Sequence, residues 1–408
     1  VSSKLEVPHP PGAPFYLLLG RIFSLLALGN TQNIALAINF LSVVASSFTI
    51  LFLFWSITHL SKKLLISDNN NNIILIILCG FTGSMVFAFS DSFWFSAVEA
   101  EVYAMSSFFT AFVFWAILKW EIIESESDQN KWIILIAYMM GLSIGVHLLN
   151  LVTIPALGLI IYFKKTKKTS LIGLISSLLI SSFIIILIIE GIIPGLPSVA
   201  SFIERFFVNS IGLPFGSGIL FFIILSITSL VYFIRYSHIK EKIILNTSLL
   251  SLAFILIGYS SYSLVLIRSS FNPPIDENNP ENILNFISYL KREQYGSRPL
   301  FKGQYFDAQV TSQVDNGITY KKGKEKYEIK EKKFKYVYDP KRTTIFPRMY
   351  SNSPNHIQRY REITNLNQNQ NPNFSDNIEF FFKYQIGHMY LRYFLWNFSG
   401  RESDVQDA

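Results

Sequence analysis

Long apolar runs, separated by short polar, basic or asparagine-rich breaks, fill the chain up to residue 267. Runs at 34–60, 73–89, 97–118, 132–146, 148–163, 171–189, 219–234 and 243–267 are near the length a hydrocarbon core demands, and they predict about eight spans. The run at 15–28 is too short and is interrupted by Arg21, so it reads as a helix lying at the interface. Between 189 and 219 the sequence PGLP, with Glu204 and Arg205 after it, reads as a loop. After Arg268 the chain turns polar. One stretch there, 317–338, alternates aromatic or aliphatic residues with lysine and predicts a solvated β-hairpin around Lys322-Gly323-Lys324. Further on, Phe382, Ile386, Met389, Tyr390 and Tyr393 recur at helical spacing within 380–398, an aromatic-rich amphipathic helix suited to a membrane interface. The expected organisation is a first outer loop with an interfacial helix (1–32), a transmembrane bundle (33–267) and an outer-face region (268–408).

Composition supports an all-α polytopic membrane protein and excludes an ordinary soluble enzyme: half the residues are hydrophobic and only 15% are charged. One cysteine, Cys79, lies inside an apolar run, which rules out a disulfide framework. The net charge of +7 is spread over loops and reads as orientation and contact with lipid headgroups; nucleic-acid binding is not expected. If Lys62 and Lys63 are cytoplasmic, strict alternation of the spans puts Lys119, Lys131, the basic run 164–168, Arg235, Lys240 and Lys242 on the same side. Glu6, His9, Asp91, Glu99, Glu101, His147, Asn150, Glu190, Glu204, Arg205 and Arg268 then lie on or near the opposite, outer face. The opening Val1 and the closing RESDVQDA read as the ends of a fragment.

Four stretches carry candidate chemistry. His9-Pro10-Pro11-Gly12 is a rigid turn with a titratable group at its mouth, or a breaker ahead of a helix. Glu99 and Glu101, read as helical, point about 200° apart, so one faces a cleft while the other meets a basic group or water. GLSIGVHLLN (141–150) places His147 and Asn150 at an outer hairpin whose small residues allow close helix packing. Arg268 ends the last span, where a guanidinium clamps a phosphate or snorkels. No P-loop, dinucleotide fingerprint, HExxH or nucleophile elbow is present.

The blocks HPPGAPFYLLLGR, FSDSFWFSAVEAEVYAMSSFFTAFVFWAILKWE, GLSIGVHLLN, IRSSFNPPIDENNPEN and YQIGHMYLRYFLWNFSGRESDVQ resemble, in order and over nearly the whole chain, a bacterial membrane family labelled "domain of unknown function 2723". That family is similar to the eukaryotic transmembrane protein O-mannosyltransferases of the GT-C superfamily. The resemblance implies a GT-C-like helical bundle in a bacterial inner membrane. It implies an inverting transfer of a sugar, mannose, from a polyprenyl-phosphate donor to a protein hydroxyl at the periplasmic face. It also implies a catalytic acid upstream of the His9 turn, ahead of Val1. The resemblance carries over to His9, Pro10, Pro11, Gly12, Glu99, Glu101, His147 and Arg268 without assigning roles; on their chemistry Glu101, Glu99, His9 and His147 are candidates for catalysis, and Arg268, Asp91, Tyr103, Asn150, Pro10 and Gly12 for holding substrate. No metal-ligand set is evident, and a divalent cation on carboxylates is left open. Two rival readings stand beside this one: a transporter or flippase of a lipid-linked substrate, and a non-catalytic membrane scaffold.

Overall fold

A computed structural model describes residues 1–65, 70–296 and 298–400. The Asn-rich loop after the first span lies partly outside these residues, and the closing RESDVQDA lies wholly outside them. The chain divides into two compact units, Val1–Gln294 and Tyr295 onward.

The first unit is a helical bundle. Its elements are α1 (Pro14–Ser24), α2 (Ile34–Leu64), α3 (Asn70–Ala88), α4 (Asp91–Val98), α5 (Val102–Ile122), α6 (Glu126–Ile144), α7 (Ile154–Lys165), α8 (Leu171–Ile186), α9 (Leu196–Phe206), α10 (Ser217–Ile239), α11 (Ile243–Tyr259), α12 (Ser263–Ser269) and α13 (Ile283–Leu290). Among the described residues six helical rods are long and apolar enough to cross a membrane, seven if the bent pair α3–α4 counts as one. The polytopic, helical character therefore holds. Of the eight expected segments, the one at 132–146 falls in α6, whose first turn carries Glu126 and Asp128.

The buried centre is α5. Val113, Ala116 and Ile117 are fully buried and pack with α6, α7 and the segment after α8. α6 and α11 cross with backbones touching: a Cβ on Gly258 would fall inside the backbone of Gly141, the close approach that small residues allow. At the other extreme, only 6% of the most apolar window of α10 is buried. Its Leu220, Ile224, Ile227 and Phe233 stay exposed, a surface that lipid rather than water would cover.

Two local expectations fail. The PGLP stretch is helical, not a loop. α8 runs into a π-helical segment, Leu187–Gly195, and then α9, so that a single rod spans Leu171–Ile211. Proline ordinarily ends a helix by withholding an N–H. Here the widened π turns hold Pro194, and Pro197 stands at the start of α9. Pro197 has no N–H for the Ile193 carbonyl four residues back, and the Tyr259 hydroxyl donates to it instead at 2.7 Å. The second failure is at Glu99 and Glu101. Both are extended (ψ 146° and 156°) in the break between α4 and α5, with the Glu101 N–H donating to the Glu99 carbonyl at 2.8 Å. The helical angle of 200° between them does not apply.

The contacts gather the basic groups at one end of the unit. Lys63 pairs with Glu121. Lys164 Nζ donates to the carbonyls of Trp120 (2.9 Å) and Ile123 (2.6 Å), and Lys165 Nζ to Gln129 Oε1 (3.2 Å). The α10–α11 turn faces the start of α6 across a cleft lined by Lys131, His238 and Glu241.

The second unit has two antiparallel two-stranded sheets. β1 (Lys302–Gln304) pairs with β4 (Thr343–Ile345), and β2 (Val310–Lys322) pairs with β3 (Tyr327–Tyr338). The expected hairpin is present and begins earlier than its lysine alternation, at Val310. Helix α14 (Pro354–Thr364) and a helical stretch over 374–399 complete the unit around Phe306, Met349, Tyr360, Leu366 and Phe380. That stretch comprises α15 (Phe374–Phe380), a π segment and α16 (Arg392–Ser399), and it leaves Phe382, Met389, Tyr390 and Tyr393 exposed. The buried Asn377 amide ties the unit together: its Oδ1 accepts from the N–H of Arg348 (2.7 Å) and Met349 (3.1 Å), and its Nδ2 donates to Phe346 O (2.7 Å).

Candidate functional site

At the end of the first unit opposite the basic groups, three chain breaks meet. The start of α1 docks on the end of α6: the N–H groups of Phe15 and Tyr16 donate to Gly145 O at 2.8 and 3.3 Å. Helix starts carry unsatisfied N–H groups, and here the Gly145 carbonyl takes two of them. The α4–α5 break brings Glu101 and Tyr103 to the same place. The Tyr103 ring lies 5.5 Å from that of His147, centroid to centroid.

His147 is the N-cap of a short 3-10 turn, Leu148–Thr153, and its Nδ1 accepts from Leu149 N–H at 3.1 Å. That bond leaves Nε2 as the ring nitrogen able to meet another group. Burial, with the Arg292 guanidinium adding to it, holds the imidazole below its ordinary pKa, so it is neutral near pH 7. Tyr16 is buried in the cluster around Leu41, Ala104 and Phe109. Burial pushes its phenol up to about 12, and the nearby Glu101 charge pushes the same way. Glu101 and Tyr103 are themselves exposed, so a hydrophobic floor carries a wet acid near Tyr16 and a tyrosine ring against a neutral imidazole.

The His9 turn is fastened from behind. Val7 N–H donates to Ile275 O (2.9 Å), and Glu277 N–H donates to Val7 O (3.1 Å). The Tyr289 hydroxyl on α13 donates to Pro8 O at 2.7 Å. Gly12 closes the turn, its N–H donating to His9 O at 2.9 Å. With φ at +72° and the Tyr289 hydroxyl where a Cβ would stand, only glycine fits there. Pro10 is buried under the turn, and His9 is exposed with no hydrogen bond to its ring among the described residues.

Arg268 is placed differently from a clamp open to solvent. Its Nε donates to Leu5 O (2.8 Å) and an Nη to Lys4 O (3.0 Å), so it holds the backbone of the first segment. Asn150 is wholly buried in the α6 joint, where Nδ2 donates to Ser143 Oγ at 3.0 Å. Asp91 opens α4, and Glu99 lies exposed two residues before Glu101. Glu204, also fully buried, caps α10: its oxygens accept from the N–H of Gly216 (2.7 Å), Gly218 (2.9 Å) and Ile219 (3.1 Å). Among the described residues no three His, Cys, Asp or Glu side chains gather as metal ligands.

The structure thus brings Tyr103 to His147, Glu101 near Tyr16 and Arg292 near His147; Tyr16 and Arg292 do not stand out in the sequence. Tyr16 was hidden as one more aromatic in an apolar run. Arg292 follows α13, whose signal was readable: Asn282 accepts from the N–H of Leu284 and Asn285, both at 3.1 Å, and Ile283, Phe286 and Leu290 repeat at helical spacing.

Comparison with known proteins bears on this same end. Residues 296–382 match a family of unknown function (DUF8416), and no solved structure matches the chain. One curated relative is the protein O-mannosyl-transferase tmem260 of Dictyostelium discoideum, 30% identical over 111 residues. The match covers 27% of this chain and only 12% of that protein's length. Residues 1–170 carry the His9 turn, Glu101, Tyr103 and His147, and over them the chain is similar to the N-terminal domain of the protein O-mannosyl-transferase TMEM260.

Proposed function

We propose that the chain is the membrane core of a GT-C type glycosyltransferase of the "domain of unknown function 2723" kind. It would move mannose from a polyprenyl phosphate to a protein hydroxyl at the periplasmic face of a bacterial inner membrane. The observation that supports this most is the contact of Tyr103 with the neutral His147, with Glu101 near Tyr16, inside the region similar to an O-mannosyl-transferase domain.

In the proposed reaction the acceptor oxygen forms a bond to the sugar C1 while the bond from C1 to the phosphate oxygen breaks. The hydroxyl proton goes to the carboxylate that the resemblance implies upstream of the His9 turn, and polyprenyl phosphate leaves. Glu101 would hold the acceptor hydroxyl. Arg292 and the Nε2 of His147 face the departing phosphate, charge and dipole acting where negative charge develops. His9, Pro10 and Gly12 form the rim. Arg268 keeps that rim in place through the carbonyls of Lys4 and Leu5. In this reading residues 268–408 are periplasmic, with the aromatic helix near 380–398 at the membrane interface.

The test is transfer of label from polyprenyl-phosphate mannose to a mixture of periplasmic proteins by the purified protein. Misplacing a reacting group costs roughly 10²-fold, so transfer by Glu101→Gln is expected to fall by that order with its fold intact. Transfer by Glu101→Gln at the wild-type rate removes Glu101 from the reaction. Absence of transfer from every polyprenyl-phosphate sugar overturns the reading, and solute uptake into proteoliposomes would replace it with transport.

A further inference from the structure

The basic end of the first unit holds a second built feature, which the proposed transfer does not use. A cleft of about 370 Å³ opens between α2, α3 and α5. One wall is apolar: the indoles of Trp55 and Trp115, with ring centres 5.4 Å apart, and Ile76. The other side is cationic: Lys62 and Lys119 line it with His59. Lys119 Nζ stands 5.9 Å from the Trp115 ring centre.

The local acid is already engaged, since Glu121 pairs with Lys63. Lys62 and Lys119 form no ion pair among the described residues. His59 Nε2 is buried without a hydrogen-bond partner, 3.9 Å from Glu121. Two ammonium groups therefore line the cleft, and among the described residues no carboxylate does.

We infer that this cleft binds the phosphate of an anionic phospholipid from the leaflet at that end of the bundle. Position and wall decide the source. The cleft lies where α2 and α5 end, the depth at which indole rings settle in a bilayer, and basic pockets between spans at such a surface take phospholipid headgroups. A free phosphate has no use for two indoles and an isoleucine. A lipid lays its glycerol and first acyl carbons against them while its phosphate meets Lys62 and Lys119.

The experiment counts lipid retained on the purified full chain by native mass spectrometry, after exchange into mixtures of phosphatidylglycerol and phosphatidylcholine. Phosphatidylglycerol is expected to be held at least ~10-fold more tightly, and Lys62→Ala with Lys119→Ala to weaken it roughly 10- to 30-fold. Lys62→Arg with Lys119→Arg keeps the lipid. So does Lys240→Ala, a substitution at an exposed lysine of the same end outside the cleft. If the alanine pair does not fold, Lys119→Gln alone carries the comparison. Equal retention of the two lipids overturns the inference, as does an equal loss in Lys240→Ala. Displacement of the lipid by millimolar glycerol phosphate assigns the cleft to free phosphates and overturns the lipid source.

Discussion

Arg268→Ala separates two roles that a guanidinium at a membrane surface can play. In the structure Arg268 donates to Leu5 O and Lys4 O, at 2.8 and 3.0 Å, and so fastens the segment that leads into the His9 turn. A hydrogen bond from a charged donor is worth about 1.5–3 kcal/mol when sheltered. Arg268 is only half-buried and Lys4 is exposed, so water replaces much of each bond, and about 1–2 kcal/mol in all is the reasonable loss. The bonds Val7 N–H to Ile275 O and Tyr289 Oη to Pro8 O remain, so the segment loosens without detaching. Amide exchange over residues 4–12 and 275–277 should accelerate roughly 5- to 30-fold in Arg268→Ala, with the rest of the bundle unchanged. Hydrogen–deuterium exchange of the purified protein in detergent, read by mass spectrometry, makes the comparison. A folded variant whose exchange over both segments equals that of wild type, while binding of the phosphate donor falls, would refute the fastening role and return Arg268 to direct contact with substrate.

Three further outcomes follow from the same geometry. His147 has a folded pKa depressed by burial and by Arg292; its contribution to stability is therefore present above the unfolded value of about 6.5 and is lost as pH falls through that value toward the folded one. Thermal unfolding in detergent should show a midpoint that drops below pH ~6.5, and His147→Asn, which retains an acceptor for Leu149 N–H, should flatten that slope. Gly258→Ala forces a methyl into the Gly141 backbone and should cost about 1–3 kcal/mol, read as a lowered unfolding midpoint; an unchanged midpoint would mean the two helices separate at no cost. Glu204→Gln puts an amide donor among three N–H groups that need acceptors. It should cost about 1–3 kcal/mol and speed exchange of the amides of Gly218 and Ile219, whereas a neutral result there would show that water caps α10 as well as the carboxylate does.

What could be read from residue order was what depends on local composition. The apolar runs announced the spans because a bilayer imposes length and hydropathy on each one separately. The lysine alternation announced the hairpin because strand faces alternate. The chain breaks were harder. Ala97, Val98 and Ala100 contain nothing that stops a helix, yet α4 ends at Val98 and Glu101 is extended. PGLP contains two prolines, yet the rod continues because Tyr259, on another helix, supplies a donor to Ile193. The second outcome is set by a partner 66 residues away in sequence; the first has no signal in its own residues. The same holds for the site. Glu101 and His147 stood out as polar groups in apolar surroundings, but Tyr16 and Arg292 acquire their roles only from the neighbours the fold gives them.

The bond from Arg268 to Leu5 joins residues 263 positions apart. In a chain that is inserted as it is made, the partner of residues 4 and 5 emerges only at the end of the spans. At a synthesis rate of ~5–20 residues per second, Lys4 and Leu5 wait roughly 13–53 seconds for Arg268. Through that interval the His9 turn is unfastened on this side, available to chaperones or proteases. Closure of the rim thus follows synthesis of the spans, and a protein stalled before Arg268 would carry its spans with the rim still unsealed.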